Sequence, residues 1–374
     1  MTRSPVSAAI RLTIPIFCIW LSTWEAAMIH DRIRRARVLR GLSLEDLAQR
    51  LGDISKQALS KFEKGAAVPN STRLLQLAHA LDVKPEYFFR PDAVTLAPLE
   101  FRKLAKMPKY RQQQVEEQMR EHLERYIALE RCFDAADVAL DAVPARAIPV
   151  ASVDAAEDAA RKLREDWAIG GDAIANLTEL LEDHGIKVAL LDGPDDFDGA
   201  CAATHDEQHV LIALNRTRPG ERMRFTAAHE LGHWIMALPE EMPEREQEAC
   251  CHRFAGAFLY SRDQVVLDFG SHQRSRVHMM ELLNAKRRYG VSMQVALRRL
   301  KDLDLLSEPG YKSASIQFNV NGWRSSEPEP LPAEQPRRFE SLVFWGLAED
   351  LFTRSRASEF LQRPIDQLEP AIEV

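Results

Sequence analysis

HELGH, residues 229–233, is the segment whose residue types and spacing most directly offer chemistry. On a helix His229 and His233 stand at i and i+4, so both imidazoles leave one face and converge on a single ion. Glu230 stands one step around, able to reach a water activated by that ion without being a ligand. Zinc lowers the pKa of such a water from its bulk value to about 7, making hydroxide available at neutral pH. The chemistry spelled out is metal-assisted amide hydrolysis, with Glu230 taking the water's proton and later delivering it to the leaving amine.

A catalytic zinc ordinarily takes three protein ligands and keeps one position open. Glu248, fifteen residues after His233, opens the apolar segment EACCHRFAGAFL. That spacing allows a turn and an antiparallel return, which sets Glu248 against the first helix. His252 lies one turn further on the same face, where it either orients a ligand histidine or is satisfied in the core. Cys250 and Cys251 read as small buried hydrophobes rather than ligands. An oxyanion needs a donor besides the metal; Tyr289 and His278 are the candidates, with a structural role expected for each. The expected cofactor is one Zn2+ per chain.

A second surface fits nucleic acid. Lys56 and Gln57 open a short segment with Ser60 and Lys61 one turn on. Glutamine can bond adenine in a bidentate way, and lysine suits guanine or phosphate. From Asp31 to Arg90 there are twelve Lys/Arg against seven Asp/Glu, a local basic surplus inside a chain of net charge −7. That balance excludes a protein coating nucleic acid along its whole surface and fits one local phosphate-binding face. The five cysteines, Cys18, Cys132, Cys201, Cys250 and Cys251, are odd in number and form no CxxC pair. They read as reduced thiols.

These residues need elements to position them. Asp31–Leu39 reads as a first helix. Ser43 caps a second, Leu44–Leu51, with Asp46 completing a capping box and Gly52 closing it. Ser55 caps a third helix, Lys56–Lys64. The pattern GLSLEDLAQRL, SKQALSKFEKG and LLQLAHALDVKPEYFF resembles the phage-repressor (XRE) helix-turn-helix. That resemblance implies Lys56, Gln57, Ser60 and Lys61 as readers of base or phosphate and a double-stranded operator as partner. RFTAAHELGHWIMALP followed by EACCHRFAGAFL resembles the ImmA/IrrE metallopeptidases. Aligning Phe254-Ala255 with that family puts its third metal ligand at Glu248. Two departures stand out: Cys251-His252 replaces a usual Ala-Asn, and Tyr260-Ser261 a usual Met-Pro. The first leaves open whether His252 competes as a ligand. The resemblance implies a zinc endopeptidase that cleaves a repressor-type protein and so relieves repression, often under stress.

The expected fold is multidomain: an all-α helix-turn-helix domain, then a mainly helical α+β zincin-like metallopeptidase domain. Residues 28–90 form the DNA-binding domain, 91–158 a helical connector and linker, 159–310 the peptidase domain and 311–374 its C-terminal extension. Residues 1–27 carry an apolar run interrupted by Arg11 and Pro15. It is too short to span a bilayer, and translation from Met28 is the favoured reading. With DNA as partner and no membrane, the expected location is cytoplasmic.

The helix at about Lys109–Arg131 carries Val115, Met119, His122, Leu123, Tyr126 and Ile127 at helical steps. It reads as a connector or as the seam of a homodimer, with packing on its own chain as the alternative. Helices are expected at Asn176–His184 and around 220–237, 244–260 and 276–289, and strands at Ile186–Leu191 and Val210–Leu214. The tail from about 310 reads as short strands or loops, a Pro-rich stretch, and two helices near 338–354 and 356–362. Two other functions fit the same residues: a transcription factor whose peptidase-like domain senses a ligand or metal without catalysis, and an antitoxin-like partner-binding protein.

Overall fold

The computed structural model describes residues 29–90, 94–97, 107–134, 143–145 and 147–368. The readings of residues 1–27, Met28 and Cys18, and of 91–93, 98–106, 135–142 and 146 within the connector, lie outside the described residues. Contacts divide the described chain into two compact units. The first takes in residues 29–90 with Pro108–Glu117, and the second the remainder. Among the described residues, no helix is long and apolar enough to cross a membrane.

The first unit is helical. Helix α1 spans residues 29–39 and α2 is Leu44–Leu51. The Ser43 hydroxyl accepts from the Asp46 N–H at 3.1 Å and the Asp46 carboxylate from the Ser43 N–H at 2.8 Å, which is the expected capping box. Those hydrogen bonds hold the Asp46 carboxyl below the usual range. Gly52 ends α2 at φ +76°, a left-handed conformation that costs glycine least. Helix α3, Lys56–Glu63, is capped by Ser55, and α4 is Ser71–Ala80, capped by Asn70. A 3-10 turn, Pro85–Phe89, completes the domain. Ile33, Leu47, Leu59, Leu77, Leu81 and Phe88 form its core.

The long helix α5, Lys109–Glu130, follows. Val115, Met119, Leu123, Tyr126 and Ile127 are buried within the chain itself. The stripe read as a dimer seam is therefore already used. In the second unit its Tyr126 and Leu129 pack with Leu342, Val343 and Phe360 of the C-terminal helices. The self-packing alternative is what the structure has.

The second unit is built around a three-stranded sheet. Strand β1 is Ile148–Pro149, and α6 is Val153–Asp166, which starts inside the stretch read as linker. Helix α7, Leu177–Asp183, ends before Gly185 at φ +77°. Strands β2 (Ile186–Leu191), β3 (Gly199–Ala203) and β4 (Val210–Asn215) lie in the order β2-β4-β3. β2 runs parallel to β4 with Ile186 opposite Val210, and β3 antiparallel with Gly199 opposite Leu214. Every residue of β4 is buried, as a central strand requires.

Helix α8, Gly220–Ile235, lies on β3 and β4 and leads into β5, Met236–Ala237, which pairs with β1. Helices α9 (Glu244–Leu259), α10 (Arg262–Phe269), α11 (Met279–Tyr289) and α12 (Met293–Asp302) complete the core. Residues 308–320 depart from expectation: they form α13, Glu308–Val320, capped by Ser307 with Pro309 in the first turn. Proline there forfeits no hydrogen bond and pre-sets the helical φ. Helices α14 (Arg338–Ala348) and α15 (Arg354–Leu361) close the chain.

Candidate metal centre and nucleic-acid interface

Helix α8 must be held at both ends for its histidines to share a point. At its start, Glu221 accepts from the fully buried Lys286 Nζ at 2.7 Å, and Lys286 also reaches Glu327 at 3.2 Å. The second oxygen of Glu221 accepts the Leu331 N–H at 2.9 Å. One turn on, Arg224 pairs with Glu334 and donates to the Ile174 carbonyl at 2.8 Å. Glu334 in turn accepts the N–H groups of Leu177 and Thr178 at the start of α7. The Pro-rich stretch Glu327–Pro336 is thus a strap whose acids tie α8 to α7, α11 and α12.

Helix α9 returns against α8 with almost no gap. A Cβ added to Gly232 would sit 2.9 Å from the ring of Phe254, itself fully buried. Behind α9, the buried Arg299 of α12 donates to both carboxylate oxygens of Glu157 at 2.6 Å and to the Tyr260 carbonyl at 3.0 Å. That fork locks α6, the end of α9 and α12 together.

The result is a tight triangle. His229 Nε2 and His233 Nε2 are 3.0 Å apart. Glu248 places one carboxylate oxygen 3.1 Å from His233 Nε2 and the other 3.5 Å from His229 Nε2. A tetrahedral ion with arms of about 2.0–2.2 Å sets its donors ~3.4 Å apart. Two imidazoles and one carboxylate at this spacing fit zinc. His229 and Glu230 are buried, while His233 and Glu248 retain some exposure, so the group opens to solvent on one side.

His252 is exposed rather than buried in the core. Its Nδ1 donates to the Glu248 carbonyl at 2.7 Å, and its ring meets that of His229 edge-on at 4.6 Å. It therefore braces the backbone of Glu248 while standing near enough to join a donor group with His229 and Glu248. Cys251, read from sequence as a filler, gathers with the two HELGH histidines, its Sγ within 4.8 Å of their nitrogens. Residue spacing gave no sign of this, because the turn of α9 that brings Cys251 inward is set by the packing of Phe254. Tyr289 donates to Gln264 at 2.9 Å and stacks on Tyr260, and burial pushes its phenol up to about 12. His278 caps α11 by accepting the Met280 N–H. Both have the structural roles expected of them.

In the first unit, α3 turns Leu59 and Phe62 to the core. Lys56, Gln57 and Lys61 are exposed on the opposite side and Ser60 is half-buried beside them. Arg37 of α1 grips Glu63 with two hydrogen bonds, at 2.6 and 2.9 Å, and fixes the C-terminal end of α3. The four predicted reading residues thus share one face of one rigid helix.

Residues 33–88 match the helix-turn-helix family model and residues 181–301 the IrrE N-terminal-like domain of the M78 peptidases. No curated protein matches the chain. The chain is a fusion of an XRE-type helix-turn-helix domain with a peptidase domain of the ImmA/IrrE type.

Proposed function

We propose that the protein is a DNA-binding transcriptional regulator whose second domain is a zinc-dependent endopeptidase that cuts a repressor-type protein and relieves repression. The observation that carries the reading is the triangle of His229, His233 and Glu248, with edges of 3.0, 3.1 and 3.5 Å. Zinc held there would supply Lewis acidity, polarising a peptide carbonyl and acidifying water to a pKa of about 7. His229, His233 and Glu248 would hold the ion. His252 fixes the backbone from which Glu248 projects. Glu230, buried and next to His229 in the sequence, would accept a proton from the attacking water on its carboxylate. It then returns that proton to the nitrogen of the departing amine.

The DNA-binding domain would place Lys56, Gln57, Ser60 and Lys61 in a major groove, and a homodimer would fill two half-sites about 34–36 Å apart. Since the apolar stripe of α5 is buried in its own chain, such a dimer would use another surface. The work belongs in the cytoplasm, where the operator is. The test is hydrolysis of a repressor-type substrate by the full chain, with and without a chelator. Glu230→Gln should keep the metal and lose roughly 10²–10⁴-fold in rate. Full activity in the chelator would refute the dependence on zinc, full activity in Glu230→Gln would refute the role of Glu230, and bound metal with no hydrolysis would favour a sensor.

A further inference from the structure

Beside the triangle a cleft of about 850 Å³ runs between α9, α12 and α13, and Glu248 and His252 lie on its wall. A chain bound at the metal centre would have this cleft beside it. Phe225, Val295 and Phe318 give it apolar surface, yet five arginines also line it: Arg245, Arg253, Arg298, Arg299 and Arg324.

Three of the five are already neutralised. Arg299 is held by Glu157 at 2.6 Å and Arg298 by Asp302 at 2.8 Å. Arg253 stands 3.5 Å from each of Asp154, Glu157 and Asp302. Arg245, in the first turn of α9, and Arg324, just past α13, have no acidic partner among the described residues, and both are exposed. The one uncommitted acid on the wall is Glu244, because Glu248 faces the histidines. The cleft therefore offers two unused guanidinium forks against one unused carboxylate.

We propose that Arg245 and Arg324 select a carboxylate side chain on the substrate, close to the bond that is cut. This deepens the peptidase reading and rests on it for the word substrate. A guanidinium presents paired donors that match both oxygens of a carboxylate. Glu244 opposes such a ligand, so its removal should sharpen the preference.

The test uses binding, which turnover does not confuse. The zinc-loaded full chain carrying Glu230→Gln is titrated with fluorescent ten-residue Ala/Phe peptides. Each bears one central Glu or the matching Gln, and each is made with a free or an amidated C-terminus. The Glu peptide should bind at least tenfold more tightly than the Gln peptide, whether or not it is amidated. Arg245→Gln with Arg324→Gln should reduce that ratio below twofold, and Glu244→Gln should raise it. Equal binding of Glu and Gln peptides, binding of neither, a preference that survives the double substitution, or one that vanishes on amidation would each overturn the proposal. The last would mean that the cleft reads a chain terminus. Zinc content and hydrolysis by the wild type, measured separately, report on the peptidase reading itself.

Discussion

A single missing methyl group, at Gly232, shapes the candidate metal centre. Its position between His229 and His233 brings α9 close enough for Glu248 to stand 3.1 Å from His233. A Cβ there would meet the Phe254 ring at 2.9 Å, and Phe254 is packed on Phe258 with no room to retreat. Gly232→Ala should cost about 1–3 kcal/mol of stability through overpacking. It should also weaken zinc more than it weakens folding, because the helices part where Glu248 must reach across. Melting curves with and without added zinc measure the difference, and an unchanged zinc-induced shift would count against the strain argument. At this scale the sequence is legible where chemistry imposes spacing: His229 and His233 are fixed by one helical turn, and Glu248 by the return of a helical pair. Cys251 was not legible, since its nearness to the histidines depends on the rotation of α9, which Phe254 and Gly232 decide together.

Among elements, α3 shows how local signals suffice. Ser55 starts it, Leu59 and Phe62 fix its inner side, and what remains, Lys56, Gln57 and Lys61, must face outward. Gln57→Ala should cost roughly 1–3 kcal/mol at a specific operator and little on random duplex. Lys61→Ala should weaken both and reduce the salt slope by about one. Competitive titrations at two salt concentrations separate the two effects, and equal weakening by Gln57→Ala on both kinds of DNA would remove it as a base reader. Strand β3 was missed for the opposite reason. GACAA lacks the alternation and branched residues that signal a strand, yet its small side chains let α8 settle on the sheet. A Cβ on Gly199 would lie 2.5 Å from Thr226 of α8. Helix α13 carried its own start signal in Ser307-Glu308-Pro309, which the reading of the tail as strands or loops passed over.

Across the molecule, the segments read as accessory turn out to hold the catalytic-type domain in shape. The Pro-rich strap supplies Glu327 and Glu334 to α8 and its neighbours, and α14 and α15 cover one side of α5. Long-range ion pairs such as Lys286 with Glu221 leave no local pattern, which is why the sequence hid them. His122 on α5 illustrates the consequence for pH. Its ring meets Phe339 and Tyr126, with Arg125 and Lys187 the charges that face it. Burial, aided by those two cations, lowers its pKa to about 3 from 6.5. The unfolded chain takes up that proton as pH falls through 6.5, but the folded chain does not until about 3. Stability must therefore decline across that window as pH is lowered. Replacing His122 by Leu should flatten the decline, as read by melting temperature between pH 7.5 and 5. An identical slope in the variant would show that His122 is not responsible.

Which atoms hold the metal decides whether the second domain can hydrolyse a peptide, and anomalous diffraction at the zinc edge from crystals of the full chain answers that directly. One peak per chain is predicted, within about 2.0–2.2 Å of His229 Nε2, His233 Nε2 and a Glu248 oxygen, with one position left open. Zinc ligated by Cys251 or His252 in place of Glu248, or no peak at the triangle in zinc-soaked crystals, would contradict it.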